Sequence, residues 1–216
     1  MKVLVIGATG GSGRAAVTAL LDRGHEVTVM VRTPAAQRTF GDGPSAVIGD
    51  ATRPDDVDRA VRGHDAVIVT LGITENPVRV RLRGPAHTSI DVRSTGTRNA
   101  IDAMRRHGVR RLVVQTTYGV GATDGRLPLR YKLMFSLLLG PQIADTVIQD
   151  GVVHESTLDW TLVQPVNLTD AADDGAPFTS VAGELAGWHV ARSKVGRALA
   201  SAVDHEEYVR RTMSVS

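Results

Sequence analysis

Three glycines, Gly7, Gly10 and Gly13, follow the apolar run Val3-Leu4-Val5-Ile6 and open a stretch with helical spacing of its apolar positions. Such a loop turns tightly and lets backbone N–H groups approach an anion closely. The helix N-terminus adds roughly half a positive charge. Pyrophosphate is the natural guest. The spacing is G-x-x-G-x-x-G, not the G-x-G-x-x-G dinucleotide fingerprint, but a strand before and a helix after are the setting that such a loop requires. Gly7, Thr9, Gly10, Gly11, Ser12, Gly13 and Arg14 are therefore candidate cofactor contacts.

The second apolar run ends at "MVRTP". In dinucleotide folds the residue at this point faces the adenosine ribose, and an acid there bonds the 2′-OH of NAD. Here Arg32 and Thr33 stand in that place. A guanidinium matches a phosphate in charge and fork geometry. The residues therefore predict NADP(H), with Arg32 on the 2′-phosphate and Arg14 assisting from the helix start. The third run ends "VIGDAT". Asp50 could accept from the adenine amino group, with Ala51 behind it, or cap the segment that follows. Leu71 and Gly72 end the fourth run, near the ribose and diphosphate.

The acid–base pair of ordinary short-chain dehydrogenases is a tyrosine with a lysine four residues on, which one helical turn brings to the same face. No tyrosine here has that partner: Ala122 follows Tyr118, Phe135 follows Tyr131 and Thr212 follows Tyr208 at that spacing. Adjacent Tyr131 and Lys132 point about 100° apart on a helix and cannot form the same pair. The end of the fifth run, "QTTYGVG", offers Thr116 and Thr117 as hydrogen-bonding groups and Tyr118 as a proton donor. Lys132 reaches the same cleft if its helix borders it. Neither H-E-x-x-H nor G-x-S-x-G occurs, and no metal site is expected. Hydride delivery to an electron-poor ring needs no protein acid, because water can supply the proton and the protein supplies orientation.

The elements that must position these groups alternate. Continuous apolar runs at 2–6, 26–31, 45–50, 65–72, 110–117 and 159–164 read as strands, and "TMSVS" as a last one. Helices are expected at 14–23, 55–63, up to Gly108, at 127–139, 142–156 and 191–203, with a loop at 165–178. Apolar strands separated by helices predict an α/β fold, a Rossmann-like doubly wound parallel sheet in three αβα layers. One domain over 1–216 is expected, with the substrate side formed by about 117–190. Of 216 residues none is cysteine, which excludes disulfides and thiolate chemistry. No apolar run approaches the ~20 residues of a membrane span, and no secretory signal is evident, so a cytoplasmic protein is expected. The net charge is only +2. The one basic stripe, "VRVRLRG", contains no aromatic residue, so no nucleic-acid partner is expected. As an extended strand it would put Arg79, Arg81 and Arg83 on one face, able to close over an anion or to guard an edge.

Together "VLVIGATGGSGRAAVTALLDRGHEVTVMVRTP", "VIGDAT", "STGTRNAIDAMRRHGVRRLVVQTTYGVG", "STLDWTLVQP" and "YVRRTMSVS" resemble the atypical short-chain dehydrogenases of the NmrA-like group, which includes proteins similar to the flavin/biliverdin-IXβ reductase. The resemblance covers nearly the whole chain. It implies a Rossmann fold that usually binds NADPH, with a substrate cleft over the carboxyl edge of the sheet. It also implies that Pro165, Val166 and Asn167 run beside the nicotinamide. The chain departs from that pattern at Gln164-Pro165, where such families often carry Arg-Pro. The expected activity is NADPH-dependent reduction of a small conjugated or aromatic acceptor: a quinone, a flavin or a related carbonyl. A non-catalytic NADP(H) sensor and an NADP-dependent isomerase or epimerase are the alternatives. Either a monomer or a homodimer is consistent with the sequence.

Overall fold

The apolar runs become strands because the backbone of each is buried from both sides. In a computed structural model, which describes residues 1–73, 75, 79–80, 83–86, 88–128, 139–172 and 175–216, strands β1 (Lys2–Ile6), β2 (Glu26–Val31), β3 (Ser45–Ile48), β4 (Ala66–Val69), β5 (Arg111–Gln115), β6 (Asp159–Pro165), β8 (Thr179–Ser180) and β10 (Arg211–Val215) form one eight-stranded sheet. Its order is β3-β2-β1-β4-β5-β6-β10-β8. Every pairing in it is parallel except that of β8 with β10. Two further short strands, β7 (Asn167–Thr169) and β9 (His189–Ala191), pair with each other in parallel. This is the expected Rossmann-like α/β arrangement.

Alternation along each strand feeds two cores. Val3, Val5, Val29, Ile68, Val113 and Val163 pack on one face beneath helices α1 (Gly11–Asp22) and α6 (Arg192–Asp204). Leu4, Ile6, Val67, Val69, Leu112, Val114 and Leu162 pack on the other, beneath α3 (Pro54–Val61), α4 (Val92–His107) and α5 (Gly140–His154). As expected of a parallel sheet, the strands are apolar on both faces. Helix α4 closes where the sequence predicts, at Gly108 in the left-handed conformation (φ 71°).

Several boundaries differ from the sequence reading. Helix α1 begins at Gly11 rather than near Arg14, because the last glycines of the loop form its first turn. The stretch read as a loop from Pro165 holds β7, and β6 itself runs to Pro165. The short helix α2 (Pro34–Arg38) had no apolar period to announce it; Pro34 at its start and Thr33, whose hydroxyl accepts from the Ala36 N–H, define it. Arg79, Val80 and Arg83 are helical, not extended, whereas Arg81 lies outside the described residues. So does most of the helix expected at 127–139.

Helices α1 and α6 pack closely, with their N-termini side by side. A Cβ on Gly196 would lie 2.3 Å from the Ala15 carbonyl carbon, so glycine is what lets the two backbones approach. Gly151, in contrast, sits exposed in α5 with nothing within 4 Å of a Cβ. Gly196→Leu should lower the unfolding free energy by about 3 kcal/mol, since neither backbone can give way. Gly151→Ala should raise it by roughly 0.5–1 kcal/mol by removing chain entropy from the unfolded state. Urea unfolding followed by circular dichroism measures both.

Candidate functional site

The glycine loop divides its labour. Gly7 has φ 87°, and a Cβ there would sit 2.7 Å from the Thr70 carbonyl group; one on Gly13 would sit 2.3 Å from the Gly7 oxygen. These two glycines fit α1 against β1 and the end of β4. Gly10, Gly11 and Ser12 instead face outward onto a cleft of about 500 Å³ along the carboxyl edge of the sheet. No side chain caps α1, and no acid lies in its first turn. Its leading N–H groups are therefore open to an anion.

The cleft brings together most of the residues expected to hold a cofactor. Gly7, Thr9, Gly10, Gly11, Ser12, Arg32, Asp50, Ala51, Leu71 and Gly72 all line it. Arg32 leaves the end of β2 and Asp50 follows β3, so both stand at the end of the cleft where an adenosine would lie. One oxygen of Asp50 accepts from the Thr52 N–H and hydroxyl, each at 2.8 Å, in a local turn; the helix that follows has Arg53 at its N-cap and no side-chain cap, so Asp50 does not cap it. The Ala51 carbonyl accepts from Asn99.

Other expected residues stand apart from that wall. Gly13 is buried under the loop. Thr33 is the cap of α2. Arg14 braces the loop from outside: Nε donates to the Thr9 carbonyl at 3.2 Å, a terminal nitrogen donates to the Thr39 hydroxyl at 2.8 Å, and the guanidinium lies 4.8 Å over the Phe40 ring. Thr117, Tyr118, Pro165, Val166 and Asn167 surround a smaller hollow of about 30 Å³ with Leu127 and Trp188. Tyr118, expected as a proton donor, lines that hollow but is 4% exposed; its hydroxyl donates to the Gly183 carbonyl at 3.0 Å, and its ring meets Trp188 edge-on. Thr116 is buried, and its hydroxyl has no hydrogen-bond partner among the described residues. Lys132 lies outside the described residues.

The sequence reading did not single out Arg93, Gln115, Leu168 or Arg192, yet all line the cleft. Arg93 donates to the Leu71 carbonyl at 2.8 Å and lies against Gly72, where a Cβ would come within 3.1 Å of it. Burial lowers its pKa from the ordinary guanidinium value, and the nearby Asp145 carboxylate opposes that shift. Asp145, itself buried, accepts from the backbone N–H groups of Arg93 and Ser94 and so caps α4 from α5. Gln115 ends β5, and its side-chain oxygen is buried without a partner among the described residues. Its place one residue before Thr116 was the available signal; nothing local marked Arg93 or Arg192.

A dinucleotide fits this cleft on two independent grounds. Its length joins an uncapped helix N-terminus to an arginine at the end of β2, and the Gln115 oxygen at the end of β5 is buried without a partner among the described residues. Residues 7–206 match the model of a family described as NAD(P)H-binding. The chain belongs to that family. An uncharacterised chloroplast protein of Arabidopsis thaliana is 30% identical over 212 residues, covering 95% of this chain and 73% of that protein. A 3-beta-hydroxysteroid dehydrogenase of Mycolicibacterium neoaurum is 34% identical over 126 residues, but the match spans only 32% of its length. Among solved structures, the anaerobillin reductase ChuY of Escherichia coli O157:H7 superposes with a TM-score of 0.79 at 21% identity, over 100% of this chain and 96% of that one. A short-chain dehydrogenase/reductase of Veillonella parvula in complex with NADP gives 0.76 at 17% identity, over 100% and 94%. The fold and family agree with the resemblance to atypical short-chain dehydrogenases, a group of NAD(P)-binding oxidoreductases. Among the described residues no helix is long and apolar enough to cross a membrane, and no group of three His, Cys, Asp or Glu could hold a metal.

Asp56 holds in shape the end of the cleft lined by Asp50. Its carboxylate accepts the Asp50 N–H at 3.0 Å and pairs with Arg59 at 2.6 Å. The backbone bond from Asp50, then Arg59, lowers its pKa below the ordinary carboxylate value. A lowered pKa stabilises the fold above the unfolded-state value and loses that contribution as pH falls through the folded one. Asp56→Ala should therefore cost about 1 kcal/mol at neutral pH, with the difference from wild type shrinking as both are acidified below the usual carboxylate range. Urea unfolding across a pH series measures it.

Proposed function

We propose that the chain is an NADPH-dependent reductase of a small conjugated or aromatic acceptor such as a quinone or a flavin. The observation that carries this reading is Arg32, at the end of β2, in the same cleft as the uncapped N-terminus of α1 and with no acid beside it in "MVRTP". On this reading the N–H groups of Gly11 and Ser12, at the start of α1, hold the diphosphate, and Arg32 holds the 2′-phosphate. Asp50 and Ala51 border the adenine, and Leu71 and Gly72 border the ribose. When bound, NADPH supplies a hydride.

The chain's own residues supply position. Gln115, at the end of β5, lines the cleft toward the nicotinamide end, with the buried Thr116 next to it in the chain. Leu168 on the cleft wall, with Leu127, Val166 and Trp188 around the smaller hollow, offers flat apolar surface for a ring. With Tyr118 bonded to Gly183, the acceptor's proton comes from water, which suits an electron-poor ring better than an unactivated ketone. Two relatives named as reductases, of 2-alkyl-3-oxoalkanoates and of 3-diazoavenalumate, are 34% and 33% identical over 34% and 40% of their lengths, which supports the reaction class and leaves the acceptor open. The same bonding of Tyr118 favours a second reading, an NADP(H)-binding redox sensor without turnover.

Fluorescence titration with NADPH and NADH tests the cofactor reading. Wild type should prefer NADPH, and Arg32→Ala should weaken NADPH about tenfold or more while leaving NADH nearly unchanged. Equal affinities for the two cofactors in the wild type would contradict it. Oxidation of NADPH in the presence of a quinone or flavin supports the reductase; tight binding without oxidation of any such acceptor supports the sensor.

A further inference from the structure

Arg192 is the first residue of α6, and its side chain lies across the glycine loop. A Cβ on Gly11 would meet the Arg192 Cδ at 2.4 Å and Nε at 2.6 Å, so the missing side chain at Gly11 makes the channel in which the arginine stem runs. The helix contact fixes this placement. Gly196, one turn further along α6, rests on the backbone of Ala15, one turn further along α1. Arg192 is thereby held over Gly11, and the two helix N-termini point at the same part of the cleft, which Arg192 lines. Among the described residues its terminal nitrogen meets one acid, Asp170, at 2.5 Å. Asp170 is the first residue beyond β7, and its side chain is 87% exposed against 30% for Arg192.

This is an asymmetric ion pair. The cation is partly withdrawn from water beside two helix N-termini, a place of positive potential that does not favour a cation by itself. The anion is fully solvated and loses little by letting go, and an exposed pair of this kind is weak. A dinucleotide's diphosphate on Gly11 and Ser12 would put two negative charges beside the guanidinium, with better fork geometry than a single carboxylate offers.

Resting on the cofactor reading above, we propose that Arg192 is an exchangeable diphosphate contact: Asp170 holds it until a dinucleotide takes it over. Asp170 is then a built-in competitor that lowers affinity. Closing of Arg192 over the diphosphate also couples cofactor binding to the segment that follows β7, because release of Asp170 frees that end of the short β7–β9 sheet.

The test uses NADPH and 2′-AMP, which carries the 2′-phosphate but neither phosphate of the diphosphate. Arg192→Ala should weaken NADPH about tenfold and leave 2′-AMP unchanged, whereas Arg32→Ala should weaken both. Asp170→Asn, which leaves Arg192 and both helices intact, should tighten NADPH about threefold and leave 2′-AMP unchanged. Unchanged NADPH affinity in Arg192→Ala, or equal losses for both probes, would overturn the proposal while the Arg32 result still upholds the cofactor reading. Looser or unaltered NADPH binding in Asp170→Asn would overturn the exchange. Failure of wild type to bind either probe would sink the cofactor reading and this proposal with it.

Discussion

The Gly7 carbonyl is the pivot of the structure. It accepts the Gly10 N–H at 3.1 Å and the Thr70 hydroxyl at 3.2 Å, and it occupies the space where a side chain on residue 13 would begin. One oxygen thus joins the end of β1, the end of β4 and the first turn of α1. Because those three elements meet without intervening side chains, the start of α1 is pressed against the carboxyl edge of the sheet. The cleft follows from that contact: its floor is the ends of β1 and β4, and its positive end is the uncapped helix.

Charge around the cleft follows a consistent logic. Arg32, Arg93 and Arg192 enter from three different elements and are answered on the walls by Asp50 and Glu75. Asp50 is occupied with its own turn, and Glu75 accepts from the Ala86 N–H. With three guanidinium groups against these two carboxylates, the lining is biased toward anions, although the chain as a whole is nearly neutral at +2. A polyanionic dinucleotide matches that local bias. Burial makes the charge of the Arg93 guanidinium costly, and its bond to the Leu71 carbonyl and the nearby Asp145 carboxylate offset part of that cost.

What could be read from the sequence was what depends on neighbours along the chain. Apolar runs gave the parallel strands, Gly24 and Gly108 gave helix ends, and Gly7 to Gly13 with Arg32 gave residues that meet in one cleft. What could not be read depends on contacts across the fold. Arg192 lies far from Gly11 in sequence, and only the close approach of Gly196 to Ala15 brings it there. Asp145 caps a helix on which it does not reside. Pro165 and Asn167 looked like loop chemistry, yet they sit in β6 and β7 because Val166 N–H pairs with the Val215 carbonyl and Asn167 N–H with the Trp188 carbonyl. Tyr118 looked available because its exposure depends on where the 183–188 segment returns to pack, which no local pattern encodes.

The central claim is that one cleft, built on the Gly7 pivot, holds NADP(H) in a single orientation. A crystal structure of the protein grown with NADPH tests it most directly. The account predicts the diphosphate on the N–H groups of Gly11 and Ser12, the 2′-phosphate within hydrogen-bond distance of Arg32, and the nicotinamide between Gln115 and Leu168. A nucleotide bound elsewhere, or one with its adenosine at the Gln115 end, would contradict it.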